Sequence, residues 1–152
     1  FFAGWRDGDP AATCAQGSRI EGVGRPRVEQ SFIPGVVDAM VRVPDAASIA
    51  ACRVLSKLLC RRVGGSTGTN FIGALWAAGR MRARGEEGSI VTLICDSGER
   101  YAETYFNDGW LAENGLDTAR PAALIERIIE TGEVPPDLVL EEGFRPRGGE
   151  AG

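Results

Sequence analysis

Apolar positions along the chain change period several times, and each change marks an element. Residues 1–15 are polar and turn-rich, with Asp7-Gly8-Asp9-Pro10 reading as a loop. Residues 16–24 hold a short strand-like piece that runs into Gly22-Val23-Gly24, and the stretch around Pro26 continues as loop. Phe32-Ile33-Pro34 precedes a short apolar segment, and residues 40–43 read as a strand. Pro44-Asp45 signals a helix start, since a carboxylate at a helix N-terminus complements the dipole. Beyond it Ala51, Val54, Leu55, Leu58 and Leu59 recur at helical spacing and predict one buried face, with Lys57 on the opposite side.

Gly64-Gly65 ends that helix, because glycine adopts the conformations that close a helix C-terminus. A second helix begins at Ser66 or Thr67 and runs through Phe71, Leu75, Ala78 and Met81 to the arginine-rich residues 82–85, where positive charge suits a helix end. Residues 90–95, Ile-Val-Thr-Leu-Ile-Cys, form an apolar run without alternation. Such a run predicts a strand covered on both faces, as in a parallel sheet flanked by helices. Asp96-Ser97-Gly98 turns the chain at its C-terminal end. Helices follow over residues 100–106 and 121–130, and beyond Gly132 the abundance of Pro, Gly and Glu predicts a loose tail. The order strand, helix, helix, strand, helix defines an open α/β unit over residues 1–132, with residues 133–152 as a flexible tail.

Composition narrows the function. The 152 residues suffice for one domain with a sizeable core, at 43% hydrophobic and 25% charged residues. The apolar runs fall far short of a bilayer crossing, and no basic-then-apolar leader opens the chain, so a cytoplasmic protein without a membrane partner is expected. The net charge of −4 gives no support to a nucleic-acid partner. Histidine is absent, which removes the commonest general base and metal ligand. Four cysteines at positions 14, 52, 60 and 95 show no thiolate metal spacing, and reduced thiols are expected. Lys57 is the only lysine beside sixteen arginines. The chain does not begin with Met, so a fragment or a processed form is expected.

Three glycine-containing segments could carry chemistry. Gly22-Val23-Gly24 would let backbone approach a ligand closely, or is an ordinary turn. Gly64-Gly65-Ser66-Thr67-Gly68-Thr69-Asn70 leads into a helix, where free N–H groups and hydroxyls make an anion site, or where Ser66 or Thr67 caps its own backbone. It lacks the Gly-Lys-Ser/Thr of a nucleotide-binding loop. Cys95-Asp96-Ser97-Gly98-Glu99-Arg100-Tyr101 follows the buried strand, where open α/β sheets hold ligands, and Ser97 offers one hydroxyl donor. Alternatively Ser97 is a turn or cap residue, Glu99 and Arg100 are a surface ion pair, and Tyr101 and Phe106 belong to the core.

Taken in order, the segments IEGVG, SFIPGVVD, VGGSTGTN and ICDSGERYAETYFND resemble the C-terminal half of the pyridoxal-phosphate (PLP) dependent cysteine synthase family, which includes cystathionine β-synthases and cysteine desulfhydrases. The resemblance covers roughly residues 16–110. It implies the C-terminal portion of a PLP fold type II enzyme, tryptophan synthase β-like, with three α/β/α layers. It implies Ser97 as the cofactor-binding serine that faces the pyridine nitrogen, and Gly22, Val23 and Gly24 as the loop beside the substrate's amino group. Ser66 and Thr67 would line the site.

The implied activity is β-elimination or β-replacement on cysteine, serine or O-acetylserine. A thiol or sulfide gives cysteine or cystathionine, whereas water releases pyruvate and ammonia. The full-length enzyme would be a homodimer. The family's Schiff-base lysine lies in its N-terminal half, so no catalytic residue is expected here and the isolated chain would be inactive. Lys57, on a polar helix side with Arg53 and Arg61, does not take its place. Residues 25–31 also separate the glycine loop from Phe32-Ile33-Pro34, which follow it at once in many relatives. Two alternatives stand beside this reading: a non-catalytic truncated relative serving as a binding or dimerisation module, and a serine/threonine dehydratase-like PLP enzyme.

Overall fold

The computed structural model describes residues 2–135, 138–139 and 141–144. Its elements are α1 (Phe2–Asp7), β1 (Ala39–Arg42), α2 (Asp45–Leu58), α3 (Gly65–Ala83), α4 (Asp108–Glu113), α5 (Ala119–Thr131) and β2 (Glu141–Phe144), with short 3-10 turns at Pro34–Val36 and Gly98–Tyr101. The result is a mixed α/β unit, helices beside one two-stranded antiparallel sheet in which Ala39 faces Phe144 and Arg42 faces Glu141.

α2 is the centre. Ala47 through Cys52 are all buried, so the helix is covered around its whole girth in this part, with Ser48 the one polar side chain among them. One side, Ala50, Ala51 and Val54, packs with Ile72 of α3, Ile125 and Ile128 of α5, and Leu138. The other side presents Ile49 to a second cluster of Ile20, Tyr101, Tyr105 and Leu111. α3 approaches α2 closely because residue 68 is glycine: a Cβ there would strike the Ser48 carbonyl and lie 2.7 Å from the Cys52 nitrogen. α5 ends at Gly132, whose φ of 68° supplies the left-handed closure.

Several expectations are corrected. Leu58 and Leu59 are exposed, since burial on α2 is concentrated in its first three turns. On α3 it is Ile72 that is fully buried, and Ala78 faces solvent. Residues 16–24 form turns rather than a strand. The opening loop contains α1, which buries Phe2 and Trp5, with Trp5 against Gly143 of β2. Residues 100–106 make tight turns instead of a helix. The Tyr101 carbonyl accepts from both Thr104 N–H and Phe106 N–H, and the Asn107 side chain caps α4 by accepting from Trp110 N–H.

Two further expectations concern exposure. Residues 90–95 form no ladder, and among the described residues no strand pairs with them. Val91 is 90% exposed and Leu93 70%. Within the expected tail, Leu138 is buried and residues 141–144 form β2, while residues 145–152 lie outside the described ones. No described helix is long and apolar enough to cross a membrane.

Candidate functional site

The CDSGERY segment is held from one side by the loop between α2 and α3. Val63 and Ser97 form an isolated bridge, Gly98 N–H donates to the Arg62 carbonyl at 3.1 Å, and Gly64 N–H donates to the Asp96 carbonyl at 3.0 Å. Cys95 N–H donates to Thr67 Oγ1 at 3.0 Å. That loop is in turn anchored from α2: the Ser56 hydroxyl accepts from Val63 N–H at 3.0 Å and donates to the Cys52 carbonyl at 2.7 Å. The Cys52 thiol donates to the Val63 carbonyl at 2.9 Å. Burial pushes this thiol up to about 12, with Arg53 drawing it down and Asp96 adding a little upward.

On its other side the segment is held by its own turn. Tyr101 O–H donates to Asp96 Oδ2 at 2.7 Å, and its ring stacks on Tyr105 with centroids 4.5 Å apart. Burial first, then that bond to the Asp96 carboxylate, raises the Tyr101 phenol well above its ordinary range. The remaining Asp96 oxygen, Oδ1, is buried and has no hydrogen-bond partner. Its carboxylate occupies the space that a Cβ on Gly64 would need, with Cγ 2.7 Å from that position.

The start of α3 is thereby accounted for by packing. Gly64 makes room for Asp96, Gly65 for Tyr105 and Ile20, and Gly68 for α2. An internal carboxylate, that of Asp96, already lies at the positive end of the α3 dipole. No side-chain cap from Ser66 or Thr67 is made. Thr67 is buried and positions Cys95, while Ser66 is half-buried.

The glycine loop turns on Gly22 and Gly24, with φ of 83° and 65°. Ser18 N–H donates to the Gly24 carbonyl at 3.0 Å, and Asp45 of α2 receives Ser18 Oγ–H at 2.6 Å and Arg19 N–H at 2.7 Å. Gly22, Val23 and Gly24 line a cavity of about 950 Å³ together with Ser18, Asp45 and Ser48. The loop and the CDSGERY segment meet: Arg100 donates to Glu21 at 3.0 Å, and Ile20 shares a core cluster with Tyr101 and Tyr105. Glu99 bonds Arg62 at 3.3 Å, so the two charges expected to pair with each other instead tie separate segments together. Ser97 does not line the cavity.

Four residues that hold this arrangement, Asp45, Asp96, Tyr101 and Tyr105, escape a reading by motif. Asp96 and Tyr101 stand inside the quoted segment, five residues apart across a turn, and only the fold shows them bonded. Among the described residues no group of acidic or cysteine side chains could hold a metal ion.

A pyridine nitrogen would take one hydrogen-bond donor, and Ser97 offers a hydroxyl. Its side chain is exposed and its oxygen accepts from Glu99 N–H at 3.4 Å, which leaves the hydroxyl proton to donate. This edge of PLP fits the residues present. Lys57, the one lysine of the sequence, is exposed in the last turn of α2.

No protein-family model matches the chain. Among curated proteins it is 57% identical over 125 residues to an L-cysteine desulfhydrase of Mycobacterium tuberculosis, covering 82% of this chain and 34% of that protein. It is 37% identical over 106 residues to a cystathionine β-synthase of Dictyostelium discoideum, covering 64% and 19%. It is 29% identical over 119 residues to a cysteine synthase of Emericella nidulans, covering 74% and 30%. The chain belongs to the PLP-dependent cysteine synthase and cystathionine β-synthase family. It spans about a third or less of the length of these relatives.

Proposed function

We propose that the chain forms part of a PLP-dependent lyase or transferase that removes or replaces the β-substituent of cysteine, serine or O-acetylserine. The observation that carries the reading is the 57% identity with an L-cysteine desulfhydrase. That relative favours elimination from cysteine, with replacement, as in cysteine synthase and cystathionine β-synthase, as the related outcome. In this reading residues 1–132 are the C-terminal portion of a fold type II catalytic domain of three α/β/α layers, and the full-length protein is a cytoplasmic homodimer.

When bound, PLP supplies an electron sink that eases loss of the α-proton and of the β-substituent. Ser97 holds its hydroxyl proton toward the ring nitrogen. Being neutral, it does not force a proton onto that nitrogen as a carboxylate would. Gly22, Val23 and Gly24 bring backbone close to the substrate's amino group, the positive φ and missing side chains of Gly22 and Gly24 leaving room for that approach. Thr67 works at one remove by fixing Cys95, and Ser66 borders the same helix start. The linking lysine comes from the part of the protein outside this chain.

The test is a chimera in which this chain replaces the matching third of the Mycobacterium tuberculosis relative, assayed for sulfide released from cysteine. Sulfide release is expected, lowered by Ser97→Ala and unmoved by Lys57→Ala. Loss of release on Lys57→Ala would overturn the assignment of the amine. A folded chimera that turns over neither cysteine nor O-acetylserine with sulfide would overturn the reading.

A second reading, a non-catalytic module that pairs with another chain, is favoured by one observation, the exposed apolar run at residues 90–94. It predicts a stable complex with the intact relative and an inactive chimera.

A further inference from the structure

The surroundings of Ser97 are unequally fixed. Residues 95, 96 and 98 are each bonded to the α2–α3 loop or the start of α3, while the Ser97 side chain receives only the long bond from Glu99 N–H. From the far side, the contact that closes the turn is Tyr101 O–H to Asp96 at 2.7 Å. Asp96 is wedged between that phenol and the α-carbon of Gly64, with one carboxylate oxygen buried and unpartnered.

We propose that Asp96 and Tyr101 are positioning residues for Ser97: their bond, braced against Gly64, sets the direction in which Ser97 presents its hydroxyl to a pyridine nitrogen. The inference rests on the reading of Ser97 given above. Ser97 follows Asp96 directly and caps the 3-10 turn that carries Tyr101. A shift of Asp96 is therefore felt at one end of that turn and a shift of Tyr101 at the other. Burial of the unpartnered oxygen is tolerable only while the other oxygen keeps its donor, which makes this bond the one whose loss frees the turn. The raised phenol keeps its proton, so the donor persists at any ordinary pH.

Three variants separate the parts. Tyr101→Phe removes the bond and keeps the ring stack on Tyr105. Gly64→Ala displaces Asp96 without touching Tyr101 or Ser97. Asp96→Asn keeps an acceptor for the phenol and removes the charge. The first readout needs no ligand: amide hydrogen exchange by NMR in the 152-residue chain. Exchange at Gly98 should quicken about tenfold in Tyr101→Phe and Gly64→Ala, and at Gly64 in Tyr101→Phe, the scale of one lost hydrogen bond. It should stay near wild type in Asp96→Asn.

The second readout uses the chimera, comparing affinity for PLP with that for its 1-deaza analogue, in which the ring nitrogen is a C–H. Wild type should prefer PLP by about tenfold, the worth of one hydrogen bond. Ser97→Ala should abolish the preference, and Tyr101→Phe and Gly64→Ala should reduce it severalfold. Unchanged exchange at Gly64 and Gly98 overturns the inference. So does a preference that survives Tyr101→Phe but not Ser97→Ala, which would make the bond merely structural. A wild-type chimera with no preference, or one retained by Ser97→Ala, overturns the Ser97 reading itself and takes the inference with it.

Discussion

The Tyr105 hydroxyl sits between two backbone groups of the glycine loop, donating to the Arg19 carbonyl at 2.9 Å and accepting from Glu21 N–H at 3.1 Å. One phenol thus satisfies a donor and an acceptor eighty-odd residues away and fixes the loop against the core. Tyr105→Phe leaves both groups without that partner at a part-buried site. Stability should fall by about 1–3 kcal/mol. A urea titration followed by tryptophan fluorescence measures this, and amide exchange at Val23 should quicken in parallel. An unchanged urea midpoint would mean that water replaces the phenol at no loss.

Two glycines of α3 should respond to alanine with opposite signs. A Cβ at Gly68 meets the Ser48 carbonyl and Cys52 backbone, neither of which can rotate away, whereas a Cβ at Gly73 meets nothing within 4 Å. Alanine favours an exposed helix interior by about 0.5–1 kcal/mol over glycine. Gly73→Ala should raise the thermal midpoint accordingly. Gly68→Ala should lose about 2 kcal/mol or more, since overpacking outweighs propensity. Thermal unfolding by circular dichroism distinguishes the two, and equal shifts would show that α2 and α3 are not in the contact described.

How much was legible follows from which forces are local. α2, α3 and α5 could be read because apolar spacing and Pro44-Asp45 are short-range signals, although Gly64-Gly65 does not close α2, which ends at Leu58 with Gly65 already inside α3. β1 was read from residues 40–43, but its partner lies in a stretch that composition alone marks as a tail, so the pairing with residues 141–144 was invisible. The buried face of α2 was misread at Leu58 and Leu59, because hydrophobicity says which residues could be buried and not which are covered. At the site, the segments were found by motif order. The bonds that join them carry no periodic signature: Tyr101 to Asp96 closes a turn, and Thr67 to Cys95 reaches across 28 residues.

The four thiols should separate by reactivity. Cys14, Cys60 and Cys95 are free and exposed, and Cys52 is free and buried against Val63. Native protein treated with Ellman's reagent at pH 8 should show three fast thiols and one that reacts only on unfolding. The same burial predicts alkaline sensitivity. The Cys52 thiol is raised from 9.0 to about 12 in the folded chain, and the Tyr101 phenol is raised above 10.0, so the folded state holds both protons more tightly than the unfolded one. Their contribution is complete below pH 9, and that of Cys52 is lost as pH rises from 9 toward 12, with Tyr101 adding to the loss above 10. Urea midpoints should therefore drop between pH 9 and 11, less steeply in Cys52→Ser. An identical slope in the variant would assign the loss to other groups.

Residues 90–94 present the opposite case, apolar side chains open to solvent, Val91 and Leu93 most of all. A segment without ladder partners, carrying Val91 at 90% and Leu93 at 70% exposure, presents an apolar surface. Such a segment should drive self-association of the chain and bind a hydrophobic dye. Replacing both Val91 and Leu93 by lysine removes apolar area and adds charge where no core contact is lost. The double variant should cut light scattering and dye fluorescence severalfold while leaving the unfolding free energy within about 0.5 kcal/mol of wild type, and so the thermal midpoint nearly unmoved, as for surface changes. If the midpoint falls instead, the segment is buried in solution against some part of the chain itself. If scattering is unchanged, association runs through another surface, with exposed Leu58 and Leu59 of α2 the next to replace.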